Sequence, residues 1–231
     1  MTLPVYSLTP FTLLDFPGRT ACIIWFSGCN LRCKYCHNPQ IVRGKSGALS
    51  IGEINDFLRR RQGLLDGVVL SGGESTAYAG IVDFSQAVRR MGFAVKLDTN
   101  GLRPDIIENL LNRQAVDFIA LDYKAPPEKF RRITGMEKYK MFSRTLDLLC
   151  GQSEVPFEIR TTVHTALLDE NDIVSIIDDL DDRNYHGNYH VQNFRADNER
   201  PTLGHLPLQA RLLDIEKLPR PEKFQMQFRN F

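Results

Sequence analysis

Little excess charge, no long apolar run and a small, odd set of cysteines each narrow what this chain can be. Its 29 basic and 28 acidic side chains leave a formal net charge of +1. No large field therefore gathers nucleic acid or an anionic membrane surface, and neither is an expected partner. The longest apolar stretches, such as Ala21 to Phe26, fall far short of the roughly 18 residues a membrane helix needs. The amino terminus lacks a basic stretch followed by an apolar core, which argues against a secretory signal and for a cytoplasmic address. Five cysteines cannot all pair, and Cys29, Cys33 and Cys36 crowd together in a way that suits metal ligation in a reducing compartment better than disulfides. No low-complexity linker marks a boundary, so the expectation is one domain over residues 1–231, with a core of about 18–195 and a tail over 196–231.

What is present is an ordinary globular composition, 42% apolar and 25% charged, arranged in an alternating pattern. Short β-branched runs alternate with longer segments of helical period, the mark of βαβ units in a parallel sheet. The strand candidates are Ala21 to Ser27, Gly67 to Ser71, Phe93 to Asp98, Phe118 to Asp122, Phe157 to Thr162 and Tyr189 to Asn193. The first helix has a capping box in Ser50 and Glu53 and is expected to run to about Gln62 and stop at Gly63. Further helices are expected near Ile81 to Met91, Pro104 to Asn112, Tyr139 to Leu149 and Asn171 to Leu180. Arg59, Arg60 and Arg61 read as a solvated helix face, with docking of an acidic protein as the alternative.

Five strand candidates end in ionisable or amide residues where a packed sheet would continue apolar. These are Glu74, Asp98 with Asn100, Asp122 with Lys124, Arg160 with Thr162, and Gln192. Carboxyl ends of strands are where βα enzymes place their sites, and residues two apart share a face. Charges gathered there are costly unless they meet each other or a zwitterionic ligand, so the ring reads either as internal salt bridges or as a ligand site.

The first strand candidate runs directly into Gly28-Cys29-Asn30-Leu31-Arg32-Cys33-Lys34-Tyr35-Cys36-His37. Thiolates select iron–sulfur clusters and zinc, and three on one C-x-x-x-C-x-x-C loop can hold three corners of a cube, leaving one iron open. The alternative is tetrahedral zinc with His37 as fourth ligand, although adjacent Cys36 and His37 are poorly spaced for one ion. Cys22 and Cys150 read as small buried hydrophobes.

This loop after the first strand, followed by Gly72-Gly73-Glu74 after the second, resembles the radical S-adenosylmethionine (SAM) superfamily, and implies an α/β partial (β/α)6 barrel of the radical SAM type. The stretches Leu14-Asp15-Phe16-Pro17-Gly18, Asp98-Thr99-Asn100-Gly101 and Asp122-Tyr123-Lys124-Ala125 further resemble activating enzymes of glycyl-radical proteins, most of all those of anaerobic ribonucleoside-triphosphate reductase. The resemblance implies one four-iron four-sulfur (4Fe-4S) cluster on Cys29, Cys33 and Cys36, with SAM on its open iron. Tyr35 would flank the adenine, and the Gly72-Gly73-Glu74 edge would receive the methionyl amino group with help from Asp98. Lys124, oriented by Asp122, and Arg160 would meet the carboxylate or ribose; Asn100 would join this site, and Gln192 would line the adenosyl side. It also implies reductive cleavage of SAM to a 5′-deoxyadenosyl radical, electrons from a flavodoxin or ferredoxin, and a glycyl-radical enzyme as partner. A radical SAM enzyme acting on a small molecule, and a non-catalytic metal-binding module, stay open as alternatives. Ser75 stands where that family usually has proline, His164 is read as structural, and no cysteine-rich insertion suggests a further cluster.

Overall fold

All six expected strands form, and two more join them. The computed structural model describes residues 3–44, 48–195, 202–204 and 206–231, so part of the expected tail, 196–201 and 205, lies outside the described residues. Strands β2 (Ala21–Phe26), β3 (Gly67–Gly72), β4 (Ala94–Thr99), β5 (Phe118–Asp122), β6 (Phe157–Val163) and β7 (Asn188–Asn193) lie side by side, all parallel. The additions are β1 (Val5–Thr12), antiparallel to β2, and β8 (Gln225–Arg229), parallel to β7. The eight strands form one sheet in chain order, the partial barrel expected. Helices α1 (Pro39–Arg43), α2 (Ile51–Arg59), α3 (Ile81–Arg90), α4 (Pro104–Asn112), α5 (Pro127–Thr134), α6 (Tyr139–Cys150) and α7 (Glu170–Asp182) fill the crossovers.

Local chemistry sets the helix ends. The Ser50 hydroxyl accepts from the Glu53 amide at 3.2 Å while the Glu53 carboxylate accepts from the Ser50 amide at 2.8 Å, the box read in the sequence. Asp169 and Asp172 make a second box that starts α7. Helix α2 stops at Arg59, three residues before the expected Gln62, because the chain turns through residues 60–64 with Gly63 at φ 74°. The arginine run is engaged locally: Arg59 pairs with Asp56 at 2.8 Å, and the Arg61 guanidinium lies 5.2 Å from the Phe57 ring centroid.

Alternation along the strands divides the interior in two. One set of strand side chains, including Cys22, Ile24, Val68, Leu70, Val95, Leu97, Ile119, Leu121, Ile159 and Val191, packs with the apolar helix faces in the main core. The opposite face is apolar only at its floor, where Phe16, Ala21, Ile23 and Val69 cluster with Trp25, Ala94 and Phe118. Phe16 is the plug. It is 2% exposed, lies 6.3 Å from the Phe118 ring and carries the Arg19 guanidinium 5.5 Å above it. Phe16→Ala would leave a ring-sized void between strand ends and should destabilise the fold by about 3–5 kcal/mol. Urea unfolding measures this, and a midpoint within error of wild type would reject the plug role. Above the floor, the same face turns polar.

Candidate active site

The polar face begins two residues up from the floor. Ser71, Asp98, Asp122 and Arg160 reach from β3, β4, β5 and β6 into one cavity, which Cys29, Cys33, Tyr35, Cys36, Gly72, Gly73, Glu74, Asn100 and Lys124 also line. Twelve of the thirteen residues expected at the site are therefore brought together. Gln192 is the exception: it sits on β7 between Thr162 and Arg229, one strand beyond the cavity wall, because the cavity ends at Arg160 on β6.

The cysteine loop is held by backbone rather than by its own secondary structure. The Glu74 amide donates to the Gly28 carbonyl at 2.9 Å and the Gly73 amide to the Phe26 carbonyl at 2.8 Å. The amides of Arg32 and Lys34 donate to the carbonyls of Thr134 and Ile133 at the end of α5, at 2.8 and 3.0 Å. From the tail, Leu203 and Gly204 donate to the carbonyls of Cys36 and Lys34, both at 2.9 Å. The paired glycines serve this closeness. A β-carbon on Gly72 would lie 2.5 Å from the Phe26 carbonyl oxygen, and one on Gly73 would lie 2.6 Å from the Gly28 carbonyl carbon. Gly72 thus admits the end of β2, and Gly73 the backbone of the cysteine loop itself.

Glu74 is 2% exposed and turned inward. Its carboxylate accepts from the Thr76 amide and hydroxyl at 3.1 and 2.5 Å, the Thr99 hydroxyl at 2.8 Å and the Asn100 amide at 2.7 Å. These bonds tie the end of β3 to the end of β4. Burial raises the Glu74 carboxyl above its ordinary range despite the four donors. Asn100, so placed, donates its side-chain amide to Asn30 at 2.7 Å and approaches the Cys29 sulfur at 3.8 Å, while the Leu31 amide reaches that sulfur at 3.4 Å. Burial, with Glu74 nearby, pushes the Cys29 thiol up to about 12; burial pushes Cys33 up to about 11.

On the opposite wall six charges interlock. Lys96 reaches Asp98 at 2.6 Å, and Asp98 also accepts from Ser71 at 3.0 Å and lies 3.5 Å from Arg160. Asp122 accepts from Arg160 and Lys124, each at 3.0 Å, and Arg160 stands 4.0 Å from Glu158. Burial disfavours the Asp122 charge, yet Arg160 and Lys124 hold the carboxyl below its ordinary range. The Lys124 ammonium lies 5.8 Å from the centroid of the Tyr35 ring, whose buried hydroxyl has no hydrogen-bond partner among the described residues. Lys96 and Glu158 were missed in the sequence, although each stands two residues before an expected site residue and so shares its face.

The donor set fits an iron–sulfur cluster. Three thiols on one loop border a cavity, and amide groups point at the Cys29 sulfur, the arrangement that stabilises such clusters. The zinc alternative finds no such fit. His37 stacks on Phe194 with centroids 4.7 Å apart and does not line the cavity. Nor does any group of three or more His, Cys, Asp and Glu among the described residues converge where one metal ion could bind. The remaining cysteines lie elsewhere: Cys22 is buried in β2 and Cys150 is half-buried at the end of α6. His164, packed on Phe194 and 3.1 Å from the Pro207 carbonyl, is structural.

Residues 23–180 match the Radical SAM superfamily. The chain belongs to that family. As a radical SAM protein it is 29% identical, over 96% of its own length and 88% of the relative's, to a Methanocaldococcus jannaschii protein named as a glycyl-radical enzyme activating enzyme. It is 32% identical to the pyruvate formate-lyase-activating enzyme of Clostridium pasteurianum, over 58% of each chain. Among solved structures, Streptococcus suis SuiB bound to S-adenosylmethionine superposes with a TM-score of 0.61 at 15% identity, over 78% of this chain and 44% of that one. TYW1 with a lysine–pyruvate adduct gives 0.59 at 17% identity, over 78% and 67%. Both share the fold of this radical SAM chain. The family implies SAM and a 4Fe-4S cluster as its cofactors.

Proposed function

We propose that this chain activates a glycyl-radical enzyme, and that the enzyme is anaerobic ribonucleoside-triphosphate reductase. The observation that carries the chemistry is that the three-cysteine loop and the interlocked charges of β4–β6 open on one cavity. The names of its relatives, one of them covered over nearly the whole chain, support the choice of partner class.

In this reading Cys29, Cys33 and Cys36 ligate the cluster, and the carbonyl edge of Gly72 and Gly73 receives the methionyl ammonium. Glu74 fixes that edge by tying it to Thr99 and Asn100. Lys124 and Arg160, oriented by Asp122, are the cations available to the SAM carboxylate, and Tyr35 flanks the adenine. Bound there, the cluster and SAM would supply hydrogen-atom abstraction from a partner glycine: one electron from a flavodoxin or ferredoxin would split SAM into methionine and a 5′-deoxyadenosyl radical, which would end as 5′-deoxyadenosine and leave a glycyl radical. Such clusters demand a low-potential donor, which agrees with a reducing, cytoplasmic setting. No helix among the described residues is long and apolar enough to cross a membrane.

The test is anaerobic reconstitution, reduction with SAM, and addition of the reductase. A glycine-centred radical in the electron paramagnetic resonance (EPR) spectrum is the expected result. SAM cleavage without a radical on the reductase, but with one on pyruvate formate-lyase, would replace the partner; a radical on neither would reject the activating function.

A further inference from the structure

The polar face does not end at Arg160. It continues around the sheet onto β7 and β8, where a second group of side chains lies outside the cavity already described. His190 is 3% exposed, with Nε2 3.2 Å from the Glu158 carboxylate and 3.3 Å from the Arg229 guanidinium. Its Nδ1 is buried and has no hydrogen-bond partner among the described residues. Gln192 shares His190's face by alternation and lies beside Arg229 in the ladder. On the same face of β8, Gln225, Gln227 and Arg229 are all exposed, so this side of the sheet is reached from solvent. Glu158, 4.0 Å from Arg160, joins this group to the cavity.

We propose that the inner face of β6–β8 seats the glycine-bearing polypeptide segment of the partner, read through its main-chain amides. The inference rests on the activating function above. Three observations select a polypeptide. The groups on offer are two-way hydrogen-bonders, the side-chain amides of Gln192, Gln225 and Gln227, which match peptide units that each carry one donor and one acceptor. The Glu158 carboxylate is already met within the chain, by Arg160 at 4.0 Å and His190 at 3.2 Å, so the occupant need bring no cation to it. β8 is also the last strand of the sheet among the described residues, and the free side of its ladder can pair with an extended chain. A small heterocycle would call for an enclosed apolar wall, and the inward side chains of β8 are exposed and none is aromatic.

Arg229→Ala tests this in the cluster-loaded full chain, with Gln227→Ala as a second variant. Losing a charged hydrogen bond to the segment should cut glycyl-radical yield, and binding of the reductase measured without turnover, by about tenfold or more. 5′-Deoxyadenosine formation in the absence of any partner should stay within about twofold and doubles as the control for folding. If both variants lose partner-free cleavage, the face belongs to the SAM site; if both match wild type in partner binding and radical yield, the seat lies elsewhere. Either result overturns the proposal while leaving the activating function in place. A wild-type chain that cleaves SAM yet makes no glycyl radical removes the function and the seat together, and points to a small-molecule substrate.

Discussion

Cys33→Ala should reduce cluster content to background and abolish SAM cleavage, while Cys150→Ala keeps both. Cys33 is buried, on a loop whose amides are tied to α5 on one side and to the tail on the other. Nothing else on the loop can replace its sulfur, because His37 is stacked on Phe194 and no further cysteine lines the cavity. A cube held by only two thiolates is readily lost. Cys150 lies half-buried at the end of α6, outside the cavity, where a methyl group replaces the thiol at small cost. Iron and sulfide per chain, and 5′-deoxyadenosine formed on reduction, report both effects. Equal losses in the two variants would reject the ligand assignment.

Gly73→Ala should be the most damaging glycine-to-alanine change among the described residues. The new β-carbon would meet the Gly28 carbonyl and come within 3.3 Å of the Cys29 amide, and both neighbours are backbone, so no side chain can swing away. The end of β3 or the cysteine loop must move, breaking the 2.9 Å bond from the Glu74 amide to the Gly28 carbonyl. Overpacking ordinarily costs 1–3 kcal/mol, and a backbone clash belongs at the top of that range, about 3 kcal/mol. Because Cys29 follows Gly28 directly, cluster content should fall toward background as well. Gly52→Ala is the matched control: its β-carbon meets only the Ser50 hydroxyl, at 3.7 Å, and alanine is the better helix former. Urea midpoints and iron content for the pair decide the matter. A Gly73→Ala protein with wild-type values would show that the close approach of the two strand ends is not needed.

The strands that were legible in the sequence are the ones that a parallel sheet buries on both sides. Runs such as Cys22-Ile23-Ile24 and Val68-Val69-Leu70 have no alternative to the interior. β1 and β8 escaped because they sit at the edges: one carries Pro10 and polar alternation, and the other reads Gln-Met-Gln-Phe-Arg with most of its side chains in solvent. Helix α5 was hidden by its charges, although Phe130, Ile133 and Thr134 make a buried stripe at helical spacing. The site followed the same logic. A cysteine spacing and polar strand ends contradict ordinary packing, so they stand out, and all of those residues but Thr162 and Gln192 line the cavity. What could not be read is which contacts each residue makes. Glu74 faces inward to lace two strand ends, and Lys96, Glu158 and His190 extend the charged wall, because only the sheet's curvature decides which neighbours a same-face row will meet.

The two hydrogen bonds from Leu203 and Gly204 to the cysteine loop carry a consequence for biogenesis. The cysteine turn precedes its brace at Leu203 and Gly204 by most of the described sequence, so that brace can form only after the segment bearing it has been synthesised. Until that segment docks, the loop is held by α5 and by the end of β3, but the carbonyls of Lys34 and Cys36 lack their tail donors. A molecule cut short before Leu203 would therefore carry its cysteine loop on a looser scaffold, with whatever metal it bound held less firmly.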